Sequence, residues 1–163
     1  MSLFLNYPLD LQSKPVLLSW SNTEIPILAV VTENKKIHFF QDEGALLKDS
    51  VIQKDKQITA MTWHPDNMVM AYGFEDGKLG VWVDSDNFSK DENLFHESKI
   101  ISLKFNNNGN RLVSIDEKHY IAVWFFEGSL TKLCVYNQKF PIENIIFPSF
   151  NIKRYNEYVY LLI

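Results

Sequence analysis

AMTWHPDNMVMAYGFEDGKLGVWV, residues 60–83, packs two tryptophans, a His-Pro turn, an unbroken apolar run and an Asp-Gly turn into a short span. It divides as ITAMTW, turn HPDN, MVMAYG, turn EDGK, LGVWV. The middle run is apolar on both sides, as a strand covered on both faces must be, whereas Leu79, Val81 and Val83 alternate with Lys78, Gly80 and Trp82. Asp76-Gly77 suits a two-residue type I′ hairpin turn, in which both central residues take positive φ, and Asn34 and Asn108-Gly109 offer the same tolerance elsewhere.

The stretch recurs. LLSWSNTEIPILAVVTENKKIHFF from Leu17 and SLKFNNNGNRLVSIDEKHYIAVWF from Ser102 align with it, so that Ala29, Ala71 and Val113 fall 42 residues apart, as do Phe40, Trp82 and Trp124. Trp20, Trp63, Phe105 and Phe147 open successive units at spacings of 43, 42 and 42. A period in the range of roughly 40 to 45 residues is that of a four-stranded propeller blade. A helical solenoid has a similar period but needs helices of ten or more residues with 3.6 periodicity, and none is present. The expected fold is all-β, an incomplete β-propeller with repeat units at 15–56, 57–98, 99–140 and 141–163. Three strands per unit are clear. The fourth is weak and in the second unit falls on NLFH. Three units and the start of a fourth, IENIIF with YVYLLI after it, leave a ring open, so the chain reads as the N-terminal part of a longer polypeptide.

Composition narrows the function. Of 163 residues 46% are hydrophobic and 14% aromatic, enough for a substantial core. Sixteen basic and twenty acidic residues are interspersed at net charge −4, which gives no footprint for a phosphate backbone and argues against nucleic acid. One cysteine, Cys134, excludes an intrachain disulfide framework and fits a cytoplasmic, reducing compartment. No signal peptide or membrane-spanning stretch stands in the sequence, so direct membrane insertion is not expected.

The third unit, HESKIISLKFNNNGNRLVSIDEKHYIAVWF, resembles a WD repeat, with His96, Ile100, Leu103, Phe105, Gly109, Leu112, Ser114 and Trp124 at the family's offsets. The resemblance implies a hydrogen-bonded set of His, Ser or Thr, Asp and Trp within each blade. Here the set is partial: Lys118 stands where the Asp belongs in the third unit, Lys54 replaces the His beside Asp76 and Trp82 in the second, and Asn34 and Phe40 stand in the first. The order of MSLFLNYPLD, LLSW, ILAV, MTWHPDNMVMAYGFEDGKLGVWV and LKFNNNGNRLVS is similar to the start of the large WD-repeat subunits of intraflagellar transport complex A, above all the intraflagellar transport protein 140 family. That likeness implies a non-enzymatic scaffold in a hetero-oligomeric complex that acts in retrograde transport and cilium assembly. Its partners would be other transport subunits and membrane cargo adaptors, and its place the cilium or flagellum and its basal body. The alternative is a WD-repeat adaptor outside cilia, in ubiquitin-ligase substrate recognition or a vesicle coat.

Competing chemistries are weaker. His38, His64, His96 and His119 lie in separate strands or turns without metal-ligand spacing, so neither metal nor cofactor is expected. GFEDGKLG, residues 73–80, has the glycines and lysine of a phosphate loop, but Leu79 begins a strand rather than a helix, and a hairpin turn at Gly77 accounts for it. The acidic pairs Glu75-Asp76, Asp91-Glu92 and Asp116-Glu117 read as solvated loop residues rather than catalytic carboxylates. Cys134 reads as a buried structural thiol. FPSFNIKRYNEY has too few cations for a single-strand groove and reads as a loop between strands.

Overall fold

A computed structural model describes residues 11–42, 44–47, 50–84, 88–92, 95–142, 144–147 and 160–162. The MSLFLNYPLD segment and most of FPSFNIKRYNEY lie outside these. The first sheet is formed by β1 (Pro15–Trp20), β2 (Ile27–Thr32), β3 (Lys36–Gln41) and β4 (Ile52–Gln53) in chain order. The second is β5 (Ile58–Trp63), β6 (Val69–Phe74), β7 (Leu79–Val83) and β8 (Phe88–Glu92). The third is β9 (Ile100–Phe105), β10 (Arg111–Asp116), β11 (Tyr120–Phe126) and β12 (Leu130–Asn137). Strands β13 (Asn144–Ile146) and β14 (Tyr160–Leu162) pair as a two-stranded fourth sheet. All pairings are antiparallel. The molecule is an all-β, partial β-propeller. Among the described residues no helix is long and apolar enough to cross a membrane.

The sheets stack because each carries apolar side chains on both faces. Ala29, Val31, Ile37 and Phe39 of the first sheet meet Trp63, Met70, Tyr72 and Trp82 of the second, where Phe39 stacks on Trp82 at 4.1 Å between ring centroids. Ala60, Ala71 and Leu79 of the second meet Phe105, Leu112 and Trp124 of the third. Val113, Ile115 and Ile121 of the third meet Ile145 and Phe147. Burying one large apolar side chain in this way contributes about 1.5–3 kcal/mol, so the seams, rather than the hairpins alone, hold the array together.

Three expectations are corrected. The fourth strand of the second sheet is β8, FSKDE, rather than NLFH, and Phe95 and His96 belong to the connector that follows. A polar strand serves there because it is the outermost strand and one of its edges is unpaired. The Asp76-Gly77 turn is not type I′. Gly77 alone has positive φ, 87°, and its N–H donates to the Phe74 carbonyl at 3.2 Å, a type I turn closed by one left-handed residue. Lys35 and His119 occupy the same place at φ 64°, donating to Thr32 and Asp116 at 3.0 Å, so in the first unit it is Lys35 and not Asn34 that takes positive φ. Finally, Trp63, Phe105 and Phe147 are buried but Trp20 is 50% exposed, because each of the others lies on the sheet before it and Trp20 opens the first.

Candidate functional site

One end of the array gathers the β2–β3, β6–β7 and β10–β11 turns with the segments that lead into β1, β5 and β9. Three equivalent backbone bonds fasten turn to segment: Glu33 N–H to Lys14 O at 2.9 Å, Glu75 N–H to Gln57 O at 3.0 Å, and Glu117 N–H to Lys99 O at 2.8 Å. These bonds arise from the repeat itself; each fixes a turn on the lead-in segment of its own sheet, and the fixed loops together present a charged surface. Glu33, Glu75, Glu97, Lys99, Glu117 and Lys118 are exposed on it.

Beneath this surface the third sheet holds a complete polar chain. His96 Nδ1–H donates to Asp116 Oδ2 at 2.9 Å, the Ser114 hydroxyl donates to His96 Nε2 at 2.6 Å, and Trp124 Nε1–H donates to Ser114 Oγ at 2.7 Å. This direction follows from the neutral imidazole, which must donate from one nitrogen and accept at the other. Asp116 Oδ1 also accepts the backbone N–H groups of Lys118 and Tyr120, each at 3.0 Å. Asp116 thus fills the aspartate role, and the assignment of that place to Lys118 is corrected, as is the reading of Asp116 as solvated: it is fully buried. Burial holds the His96 imidazole below the usual histidine value, outweighing the Asp116 hydrogen bond and charge, which act the other way.

Ser114, His96 and Asp116 are in the order of a hydrolytic triad, but the surroundings disable it. Ser114 is wholly buried and the indole of Trp124 caps its oxygen, so no carbonyl carbon has an approach. A cavity of about 230 Å³ lies alongside, lined by Phe95, His96, Glu97, Asp116, Lys118 and Tyr120, and Ser114 does not reach it.

The second sheet achieves the same fastening with other residues. Lys54, in the place of His96, sets Nζ 2.9 Å from both carboxylate oxygens of Asp91 on β8, and the hydroxyl of Tyr72, in the place of Ser114, donates to Asp91 Oδ1 at 2.7 Å. Gly80 makes room, since a Cβ there would stand 2.1 Å from the Tyr72 ring. Trp82 is buried against the first sheet as Trp124 is against the second. Asp76 does not take part: its carboxylate accepts the Lys78 N–H at 3.3 Å within the turn, next to Gly77. In the first sheet Thr32 holds the place of Asp116 and donates to Asn34 Oδ1 at 2.6 Å, while Phe40 replaces the tryptophan. His38 stands where the other sheets have Gly80 and Ala122, and its buried Nε2 has no hydrogen-bond partner among the described residues.

Sequence reasoning missed Asp91, Tyr72 and Gly80. Their signal is the register Tyr72↔Gly80↔Asp91 across three strands, which spacing alone does not reveal. Cys134 is half-buried on β12 and packs against the seam of the third and fourth sheets. No group of three or more His, Cys, Asp or Glu that could hold a metal occurs among the described residues.

Stacked four-stranded sheets, the third of them fastened at one end by a His–Ser–Asp–Trp chain, define a WD-repeat β-propeller protein. The chain belongs to the family of the IFT140 first beta-propeller, whose model matches residues 3–159. It is also similar to the SIR4-interacting protein SIF2 of Saccharomyces cerevisiae, 29% identical over 68 residues, which is 42% of this chain and 12% of that protein. The human F-box-like/WD repeat-containing protein TBL1Y is 26% identical over 73 residues, 45% of this chain and 14% of its own length. A 66 kDa stress protein of Physarum polycephalum is 24% identical over 100 residues, 60% of this chain and 17% of its own length. The chain therefore corresponds to less than a fifth of each of these relatives.

Proposed function

We propose that the chain serves as a non-enzymatic scaffold module of intraflagellar transport complex A, acting in retrograde ciliary transport and cilium assembly. The observation that carries this reading is the family match over residues 3–159. The rigid surface of turns and connecting segments supports a role in protein association, because fixed loops lose little conformational freedom when a partner docks. Other transport subunits and membrane cargo adaptors are the partners this reading implies, in the cytoplasm, at the basal body and in the cilium or flagellum. Affinity purification of the tagged protein from ciliated cells tests it. Co-purification of further complex A subunits is the expected result, and their absence overturns the assignment.

The likeness to an F-box-like/WD repeat-containing protein over 73 residues favours a second reading, an adaptor outside cilia in ubiquitin-ligase substrate recognition or a vesicle coat. Recovery of such partners in place of transport subunits, in the same experiment, selects it.

A further inference from the structure

The cavity at the end of the third sheet has no counterpart in the chemistry of its neighbours. Buried His96 and Asp116, half-buried Phe95 and Tyr120, and exposed Glu97 and Lys118 line it. The rings of Phe95 and Tyr120 meet edge to face, 5.9 Å between centroids at 71°, and form an aromatic corner. Asp116, Lys118 and Tyr120 hold the places of Phe74, Asp76 and Lys78, each 42 residues earlier in the second sheet. There Phe74 is buried, and Lys78 pairs with Asp76 at 3.6 Å. In the first sheet Thr32 donates to Asn34 within the same turn. In the third sheet neither Glu97 nor Lys118 forms an ion pair among the described residues. The second and fourth sheets flank this site on its two sides.

We infer that this cavity receives an arginine side chain presented by a partner protein, with the guanidinium laid on the Tyr120 ring and its N–H groups turned to the Glu97 carboxylate. Size decides first. A volume of about 230 Å³ lies below the roughly 300–1,000 Å³ of sites for drug-sized molecules, and it suits one long side chain. Charge decides next. Two carboxylates, Asp116 and Glu97, stand against one ammonium, Lys118, and burial keeps the His96 imidazole from adding a positive charge. Asp116 accepts hydrogen bonds from His96, Lys118 and Tyr120, yet among the described residues no lysine or arginine side chain contacts it, so an incoming cation gains from its charge at short range. The aromatic corner completes the selection. Aromatic faces attract cations, and the Phe95 ring already holds the Lys132 ammonium 5.1 Å from its centroid, whereas no cation lies over Tyr120 among the described residues. A planar, weakly hydrated guanidinium stacks on a ring and grips a carboxylate with two N–H groups at once, which an ammonium does not.

Heteronuclear NMR of the full chain, titrated with N-acetyl-arginine methylamide, tests the site. Saturable amide shifts at Phe95, Glu97, Lys118 and Tyr120 are expected, with a Kd on the order of 1 mM for a single side chain. The citrulline analogue has the same shape without the charge, and the lysine analogue has the charge without the plane; each is expected to bind about threefold or more weakly. Glu97→Gln should weaken arginine binding by about threefold, and Lys118→Gln should tighten it by a similar factor because a like charge is removed. Both side chains are exposed, and spectra unchanged outside the site verify that the variants fold. No shift at these four residues up to about 10 mM ligand overturns the proposal. So does citrulline or lysine binding as tight as that of arginine, or a Lys118→Gln variant that binds arginine less well. The site rests on the reading of this end as a protein-association surface and not on the ciliary assignment: complex A subunits that fail to co-purify while arginine binding persists overturn only that assignment.

Discussion

Lys54 and Asp91, 37 residues apart in sequence, face each other across the second sheet with the ammonium nitrogen 2.9 Å from both carboxylate oxygens. Lys54 is buried and Asp91 keeps a third of its side chain in solvent, so the two partners are not equivalent. Removing Asp91 leaves a buried cation, whereas removing Lys54 leaves a carboxylate that water reaches. Asp91→Ala is therefore expected to destabilise more than Lys54→Met, by about 2–4 kcal/mol against about 1–2 kcal/mol. A double-mutant cycle followed by urea denaturation checks both the order and a coupling of about 0.5–3 kcal/mol.

Gly80→Ala places a methyl group into the Tyr72 ring. The expected cost is about 1–3 kcal/mol from overpacking, although the same exchange at an ordinary strand position is neutral or favourable. In a Tyr72→Ala background the penalty should largely vanish. Thermal denaturation of the four proteins decides whether steric conflict is the cause.

Trp63 and Trp124 are buried in seams and each donates an indole hydrogen bond. Replacement of either by alanine is expected to cost about 3–5 kcal/mol. Trp20→Ala, at a ring half exposed to solvent, should change stability by no more than about 1 kcal/mol. Equilibrium unfolding at low protein concentration separates the two cases.

Acid should weaken the fold before the carboxylates titrate. Burial lowers the histidine values of His38, His64 and His96, with Lys36 adding to the effect at His38, and with nearby acidic groups opposing it at the other two. The unfolded chain then takes up protons near the ordinary histidine value of about 6.5, while the folded protein does not until lower pH. Stability is thus full above about pH 6.5 and falls as pH drops from there through the folded-state values. Urea midpoints measured from pH 8 to pH 5 should decline on the acid side, and His96→Gln should flatten that decline.

The seams were readable from the sequence because apolar identity at a 42-residue interval is all that stacking demands: Ala29, Ala71 and Val113, like Ile37, Leu79 and Ile121, needed only size and position. The fastening groups were not, because hydrogen bonding depends on register and on the reach of a side chain. Spacing from Asp76 pointed to Lys118, yet Asp116 carries the role because it stands at the start of the turn, where its carboxylate meets two backbone N–H groups and the imidazole together. Asp91 lay on a strand too polar to stand out, and its value comes only from facing Tyr72 and Gly80. Trp20 marks a further boundary: recurrence tells which residue type fills a place, and the neighbour decides whether the place is covered.

Tyr72 is opposite Gly80, and Ser114 is opposite Ala122. Tandem units of one architecture risk exchanging strands while they fold, and these two pairs disfavour such an exchange. If β6 zipped onto β11, the phenol ring would strike the methyl group of Ala122; if β10 zipped onto β7, a hole would open above Gly80 and the imidazole of His96 would lose its tryptophan-capped serine. The unlike fastenings thus act as a proofreading code, by which each hairpin recognises its own mate.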